Sequence, residues 1–146
     1  MYRVTIMSPQ AIKVETIIAA PIEKVWQAYT TPEDIVQWNA ASDDWHTPSA
    51  TVDLREGGIF SSRMEAKDGS MGFDFAGTYT RIATNRLIEY EFGGRHARIE
   101  FTPATEGVRV RVTFDPEAEN SIEMQRGGWQ AILDNFKHHV EANTAG

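Results

Sequence analysis

The side chains able to do chemistry in this chain are few, and the foremost are phenols. Tyr79 and Tyr90 flank the turn signal Thr84-Asn85, and a hairpin about that turn sets them opposite each other. A buried phenol demands a hydrogen-bond partner, which a ligand, a water, the other phenol or the backbone can supply. For any reaction, Tyr79, Tyr90, Arg81 and His46 are the acid or base candidates. The Asp43-Asp44 pair lies in a polar stretch with no basic or nucleophilic neighbour, and no Ser-His-acid order, P-loop or GxGxxG pattern is present. His138 and His139 are adjacent on a helix and so point about 100° apart, which is no shared ligand face. They read as solvated surface, as do His46 and His96, and neither metal nor cofactor is expected. Arg95, Arg98, Arg109 and Arg111 fall opposite Glu89, Glu100 and Asp115, forming a charge ladder rather than a phosphate site. The absence of cysteine excludes disulfides, thiolate catalysis and Cys-held metals.

These residues need a sheet to position them, and the turns predict its pairing. A two-residue loop at Asp68-Gly69 pairs Met64 with Phe73, Ser62 with Phe75 and Phe60 with Gly77 on one face, and Arg63 with Asp74 on the other. One face is then apolar and the other charged, as in a sheet buried on one side. Gly93-Gly94 pairs Tyr90 with Ala97 and Ile88 with Ile99 inside, and Glu89 with Arg98 outside. Glu106-Gly107 pairs Phe101 with Val112 and Ile99 with Phe114 inside, and Arg98 with Asp115 outside. These parities agree, and a one-residue slip would invert a whole strand. Thr84-Asn85 leaves Arg81 pointing inward near the sheet end. At Gly57-Gly58 a three-residue bulged loop is expected, with a left-handed glycine, Leu54 opposite Phe60 and Val52 opposite Ser62. The inner face also collects Met71, Phe92, Val108, Val110 and Phe114.

Ahead of this meander, residues 12 to 19 form a β-branched first strand. Pro21 opens a short helix with Ile22, Val25, Trp26 and Tyr29 on one stripe, and Thr31-Pro32-Glu33-Asp34 opens a second, running to about Trp38. Residues 39 to 48 read as a polar loop carrying Trp45. At the C-terminus, Trp129, Ile132, Leu133, Phe136 and Val140 recur at helical spacing, and Asn120 with Glu123 reads as a capping box. Gly127-Gly128 inside that helix costs stability against alanine. The pair is read as a place of close helix-to-sheet contact, the alternative being a flexing point for ligand entry.

At 146 residues the chain suits one domain, spanning 1–146 with residues 1–10 as an N-terminal extension. A formal charge of −7 opposes nucleic acid or anionic lipid as a partner. No apolar run approaches the roughly 20 residues of a membrane span, and Met1 to Gln10 does not read as a signal peptide, so a cytoplasmic location is expected.

The order of motifs resembles a known superfamily. Ala20-Pro21-Ile22-Glu23-Lys24-Val25-Trp26, Thr31-Pro32-Glu33 leading to Trp38, Gly57-Gly58, Phe75-x-Gly77-x-Tyr79-x-x-Ile82, Arg86-Leu87-Ile88-Glu89-Tyr90 and Gly128-Trp129 with Leu133 and Phe136 are similar to the SRPBCC (START/Bet v 1-like) proteins. The subgroup resembled is the AHSA1-like (Hsp90 ATPase activator homologue) proteins, over residues 12 to 142. The match is to the C-terminal type of domain of the eukaryotic activator, without its separate N-terminal domain. The resemblance implies an α+β helix-grip fold, in which a curved antiparallel sheet of six to seven strands holds a long C-terminal helix, with two short helices after the first strand. It also implies an internal cavity, in a superfamily whose members bind lipids, polyketides or other apolar molecules and occasionally catalyse cyclisation or hydrolysis.

Three functions follow as expectations: binding of a small, largely apolar, lipid-like or aromatic molecule between helix and sheet; a cyclase- or hydrolase-type enzyme on the same scaffold; and a protein-binding module for a chaperone or regulator. The first leads, and a purely filled core is its bland rival. Its expected wall is Trp38, Trp45, Phe60, Met64, Phe73, Phe75, Tyr79, Tyr90, Phe101, Trp129, Leu133 and Phe136. Trp38 and Trp45 would frame the mouth, and Trp129, Leu133 and Phe136 would look across at Phe73, Phe75, Tyr90 and Phe101. Edge strands offer a route to homodimerisation.

Overall fold

A computed structural model describes residues 8–144. Seven antiparallel strands form one curled sheet in the order β1-β7-β6-β5-β4-β3-β2. They are β1 (Ile12–Ile18), β2 (Trp45–Val52), β3 (Ile59–Ala66), β4 (Gly72–Ala83), β5 (Leu87–Phe92), β6 (Arg95–Ala104) and β7 (Gly107–Phe114). Helices α1 (Ile22–Thr30) and α2 (Pro32–Trp38) connect β1 to β2, and α3 (Ile122–Thr144) closes the fold. This is the helix-grip architecture, with α3 along β1 and over the concave face. No described helix is long and apolar enough to cross a membrane. Of the expected N-terminal extension, residues 1–7 lie outside the described residues, whereas the Ser8 N–H donates to Asp115 Oδ1 at 2.7 Å.

The two strongest hairpin signals set the register as expected. Met64 faces Phe73, Ser62 faces Phe75 and Arg63 faces Asp74 across β3 and β4. Across β5 and β6, Tyr90 faces Ala97 and Glu89 faces Arg98. Two other turns keep the expected parity but slip by two residues. Val52, not Leu54, faces Phe60, and Ala50 faces Ser62. The turn there is longer because its backbone pairs with β4: the Gly57 N–H donates to Tyr79 O and the Tyr79 N–H to Gly58 O, with Gly57 in the expected left-handed conformation at φ 86°. Likewise Val110, not Val112, faces Phe101, Val112 rather than Phe114 faces Ile99, and Thr113 rather than Asp115 faces Arg98. The β6–β7 turn is Thr105-Glu106, since Gly107 already belongs to β7, with the Ile18 carbonyl standing where a Cβ would be. Across β4 and β5, Tyr79 faces Tyr90, but a bulge at Thr80 resets the pairing so that Arg81 faces Glu89. Arg81 is therefore on the outer face and exposed, not inward.

Helix entries also depart in detail. Pro21 is the extended N-cap of α1 rather than its first residue, whereas Pro32 does open α2. Ser121, not Asn120, caps α3, its Oγ accepting the Met124 N–H at 3.1 Å. Buried Gln125 replaces the expected capping box: its Nε2 donates to Glu117 O and Asn120 O, and its Oε1 accepts the Glu117 N–H. The expected loop at 39–48 ends early, since Trp45 begins β2. β2 is an edge strand and carries Pro48, whose missing N–H costs an edge no ladder bond.

Candidate functional site: a phenol-lined cavity under the C-terminal helix

The curled sheet and α3 leave between them a cavity of about 230 Å³. Its floor is Phe60, whose ring lies 4.7 Å from that of Tyr90 and 5.1 Å from that of Tyr79. Glycine at 77 leaves room for that ring: a Cβ there would stand 2.8 Å from Phe60 Cε1 and 2.5 Å from the Glu91 carbonyl oxygen. From β3 and β4 come Ser62, Met64, Phe73, Phe75 and Tyr79, and from β5 and β7 come Ile88, Tyr90 and Val112. Helix α3 contributes Trp129, Ile132 and Leu133. The α1–α2 segment closes one end with Tyr29, Ile35, Trp38 and Asn39, and Thr51 and Val52 of β2 complete the wall.

Of the expected wall, Trp38, Phe60, Met64, Phe73, Phe75, Tyr79, Tyr90, Trp129 and Leu133 do line the cavity. Three residues lie elsewhere. Phe136 is completely buried at the closed end, 5.2 Å from the Tyr29 ring and 4.9 Å from that of Trp38. Phe101 packs against Trp26 and Tyr29, so Tyr29 stands between it and Phe136 and fills space that the strand pattern alone leaves empty. Trp45 does not reach the cavity. Its ring is 6.0 Å from Phe73, and the wall reaches solvent at Phe73, which is 48% exposed. Trp38 is no part of that mouth, being buried with its Nε1 donating to Ala28 O at 3.0 Å. Trp129 stacks flat on Phe114 at 3.9 Å and meets Phe75 at 6.1 Å, but its neighbours include Phe92 rather than Phe101. Met71, expected on the inner face, is 64% exposed at the end of the β3–β4 hairpin.

Tyr29 is the wall residue that sequence reasoning passed over as mere helix stripe. Its phenol converges with those of Tyr79 and Tyr90, although the three come from α1, β4 and β5. None of these hydroxyls hydrogen-bonds to a protein group among the described residues, and none is sealed off in the packed core. Burial pushes all three phenols up: Tyr79 reaches about 12, with the Asp53 carboxylate adding to the rise, and Tyr29 and Tyr90 rise with it, each of these two also held un-ionised by its phenol neighbours. Such groups stay protonated at neutral pH and act as hydrogen-bond donors, not as bases. The other two acid–base candidates are outside: Arg81 is on the outer face, and His46 lies 3.9 Å from Glu65, away from the cavity. Among the described residues, no carboxylate, imidazole, ammonium or guanidinium belongs to the wall.

The histidine expected to be solvated at position 139 is instead part of the scaffold. Its Nε2 lies 2.8 Å from Asp34 Oδ1, joining α3 to α2 beside the cavity's closed end. Asn135 Nδ2 donates to the Ala40 carbonyl and reinforces that join. Of the expected outer charge ladder, Glu89 pairs with Arg98, whereas Arg111 pairs with Glu15 of β1, a partner outside the expected set, and Arg95 lies over the Phe92 ring at 4.5 Å.

Gly127 and Gly128 do not mark close contact with the sheet, since a Cβ at either would meet nothing within 4 Å. With that reason removed, the pair is a locally weakened turn of α3 next to Trp129. Gly127→Ala/Gly128→Ala is expected to raise the unfolding free energy by about 1 kcal/mol per site. Urea denaturation measures this, and a destabilised double variant would restore the close-packing explanation.

Comparison with known proteins places this geometry. The model of the family described as Activator of Hsp90 ATPase homolog 1-like protein matches residues 19–141. The solution structure of the AHSA1-like protein from Aeromonas hydrophila is 45% identical, covering 92% of this chain and 94% of that one, with a TM-score of 0.86. A solution structure from Cytophaga hutchinsonii is 49% identical over 90% of this chain and 92% of that one, with a TM-score of 0.78. A crystal structure from Nitrosomonas europaea, 20% identical over 93% and 97% of the two chains with a TM-score of 0.80, shares the fold. No curated protein matches. By the family match over most of its length, and by the helix-grip fold it shares with these structures, the chain belongs to the family of Activator of Hsp90 ATPase homolog 1-like proteins.

Proposed function

We propose that this protein binds a small, largely apolar molecule in the space between α3 and the concave sheet. The observation that carries this reading is the cavity itself: about 230 Å³, walled by aromatic and aliphatic side chains, with hydroxyls, two indoles and one amide as the polar side-chain groups of its described lining. A dry apolar cavity of about 150 Å³ accepts benzene, so this one suits a molecule of one to two rings or an equivalent short chain. Enzymatic turnover is the weaker reading, because among the described residues the lining holds no carboxylate or imidazole, and burial keeps its phenols protonated and so unable to act as bases.

The test combines native mass spectrometry of freshly purified protein with thermal unfolding in the presence of neutral naphthalene derivatives. A ligand at a hundredfold excess over its Kd should add roughly 2.7 kcal/mol of stability. Ser62→Leu, which puts a larger side chain into the wall from β3, should abolish that gain while leaving the protein folded. Absence of any bound molecule, together with no thermal response from the unsubstituted protein, would sink the proposal.

A further inference from the structure

We infer that the cavity selects neutral ring compounds bearing a hydrogen-bond-accepting oxygen, such as aromatic ketones, by presenting Tyr29, Tyr79 and Tyr90 as three converging donors. This deepens the binding function proposed above and rests on it. The inference begins with an imbalance. The cavity's apolar wall is satisfied by any hydrocarbon of suitable size, but three phenol hydroxyls open on it with no protein acceptor among the described residues. Each can bond water while the cavity is wet. A hydrocarbon that displaced that water would leave the donors unpaired, and an unpaired buried donor is costly. A ligand oxygen placed among the phenols repays that loss.

Convergence follows from the fold. Tyr79 and Tyr90 are direct cross-strand partners on the same face of β4 and β5. Tyr29 reaches them from the opposite side, because Trp38 and Phe136 hold its ring from behind at 5.3 and 5.2 Å. The rings of Tyr79 and Tyr90 are braced in turn by Phe60. Donors so held are pre-organised and lose little freedom on binding. Phe75 and Trp129, with their rings 6.1 Å apart and at 80° to each other, supply flat walls for an aromatic body.

Charge sets the second half of the selection. Among the described residues, a carboxylate or phosphate would find no cationic side chain on the wall to pair with it, and an ammonium would find no carboxylate there, Asp53 acting on Tyr79 from outside the lining. The phenols cannot ionise to compensate a cation near neutral pH, since burial raises them.

The experiment compares four probes of nearly equal size by calorimetric titration at pH 8: 2-acetylnaphthalene, its alkene isostere 2-isopropenylnaphthalene, 2-naphthoate and 2-naphthyltrimethylammonium. The ketone is expected to bind about tenfold more tightly than the alkene, the worth of one well-made hydrogen bond. The naphthoate and the ammonium probe are expected to bind about a hundredfold more weakly than the ketone. In Tyr79→Phe/Tyr90→Phe, whose rings keep their packing, the ketone-to-alkene ratio should fall towards one, with alkene binding strengthened because two donors are no longer left unpaired. Equal binding of ketone and alkene to the unsubstituted protein overturns the inference and leaves the apolar-binding function standing. Tighter binding of either charged probe overturns it as well, the ammonium case pointing to an aromatic cage. If neither ketone nor alkene binds, the underlying function fails with it.

Discussion

Phe136→Ala is expected to lower the unfolding free energy by about 3–5 kcal/mol. Phe136 has no solvent exposure and sits where α3 meets both short helices, edge-on to Tyr29 at 5.2 Å and to Trp38 at 4.9 Å. Truncation removes the transfer energy of the ring, both aromatic contacts and the filling of a site with little room to collapse. The neighbours that would have to close the gap are themselves pinned: Trp38 by its hydrogen bond to Ala28, and α2 by the Asp34–His139 pair. Against a usual total of about 5–15 kcal/mol, the loss is a large share. Urea denaturation checks it, and Phe136→Leu should lose far less. A loss below about 1 kcal/mol would mean that α3 does not seat on α1 and α2 as described. Tyr29 rests on Phe136, so the same truncation loosens one of the cavity's donors, and an effect on ketone binding larger than on alkene binding is expected alongside the stability loss.

The second large effect lies on the opposite face of the sheet. Glu89 is only 4% exposed, flanked across the strands by Arg81 and Arg98, and Arg98 Nε donates to its Oε2 at 2.6 Å. Arg98→Met leaves that carboxylate buried without its hydrogen-bonded partner. A cost of about 3 kcal/mol is expected, at the low end for a buried pair because Arg98 is itself partly exposed. Glu89→Leu/Arg98→Met removes both charges and should recover most of the loss, since two desolvated charges seldom outdo well-packed apolar groups. Chemical denaturation of the single and double variants forms the test. A double variant as unstable as Arg98→Met would show that the pair contributes packing of its own rather than mutual neutralisation. The cavity is on the other side of the sheet, so ligand affinity should hardly change in either variant.

The two predictions divide the molecule as its sequence does. Alternation along β3 to β7 and the glycine turns determined which face of each strand is apolar, and the helical spacing of Trp129, Leu133, Phe136 and Val140 determined what covers that face. These are properties of neighbouring residues, legible because a strand repeats every two positions and a helix every 3.6. Where a turn slipped by two residues, at Gly57-Gly58 and at Glu106-Gly107, the pattern gave no warning, since an even slip keeps every side chain on its own face. Those registers were decided at long range, by the β4 backbone hydrogen-bonding to one turn and the Ile18 carbonyl crowding the other. The bulge at Thr80, which turns Arg81 outward, is likewise invisible to alternation.

The cavity divides in the same way. The inner-face aromatics were predictable from the sheet alone, but whether they touch one another or face a space depends on what the α1–α2 segment places between α3 and the sheet. Tyr29, Trp38 and Phe136 fill one end and exclude Phe101 from the wall, while the space bounded by Phe60, Phe75 and Trp129 stays open. That outcome follows from the packing of side chains from α1, α2, β6 and α3, far apart in the chain, which no local period encodes. By itself the sequence determined that this chain has a concave apolar sheet and a helix to grip. Only the tertiary structure decided that a gap remains between them and that three phenols meet there.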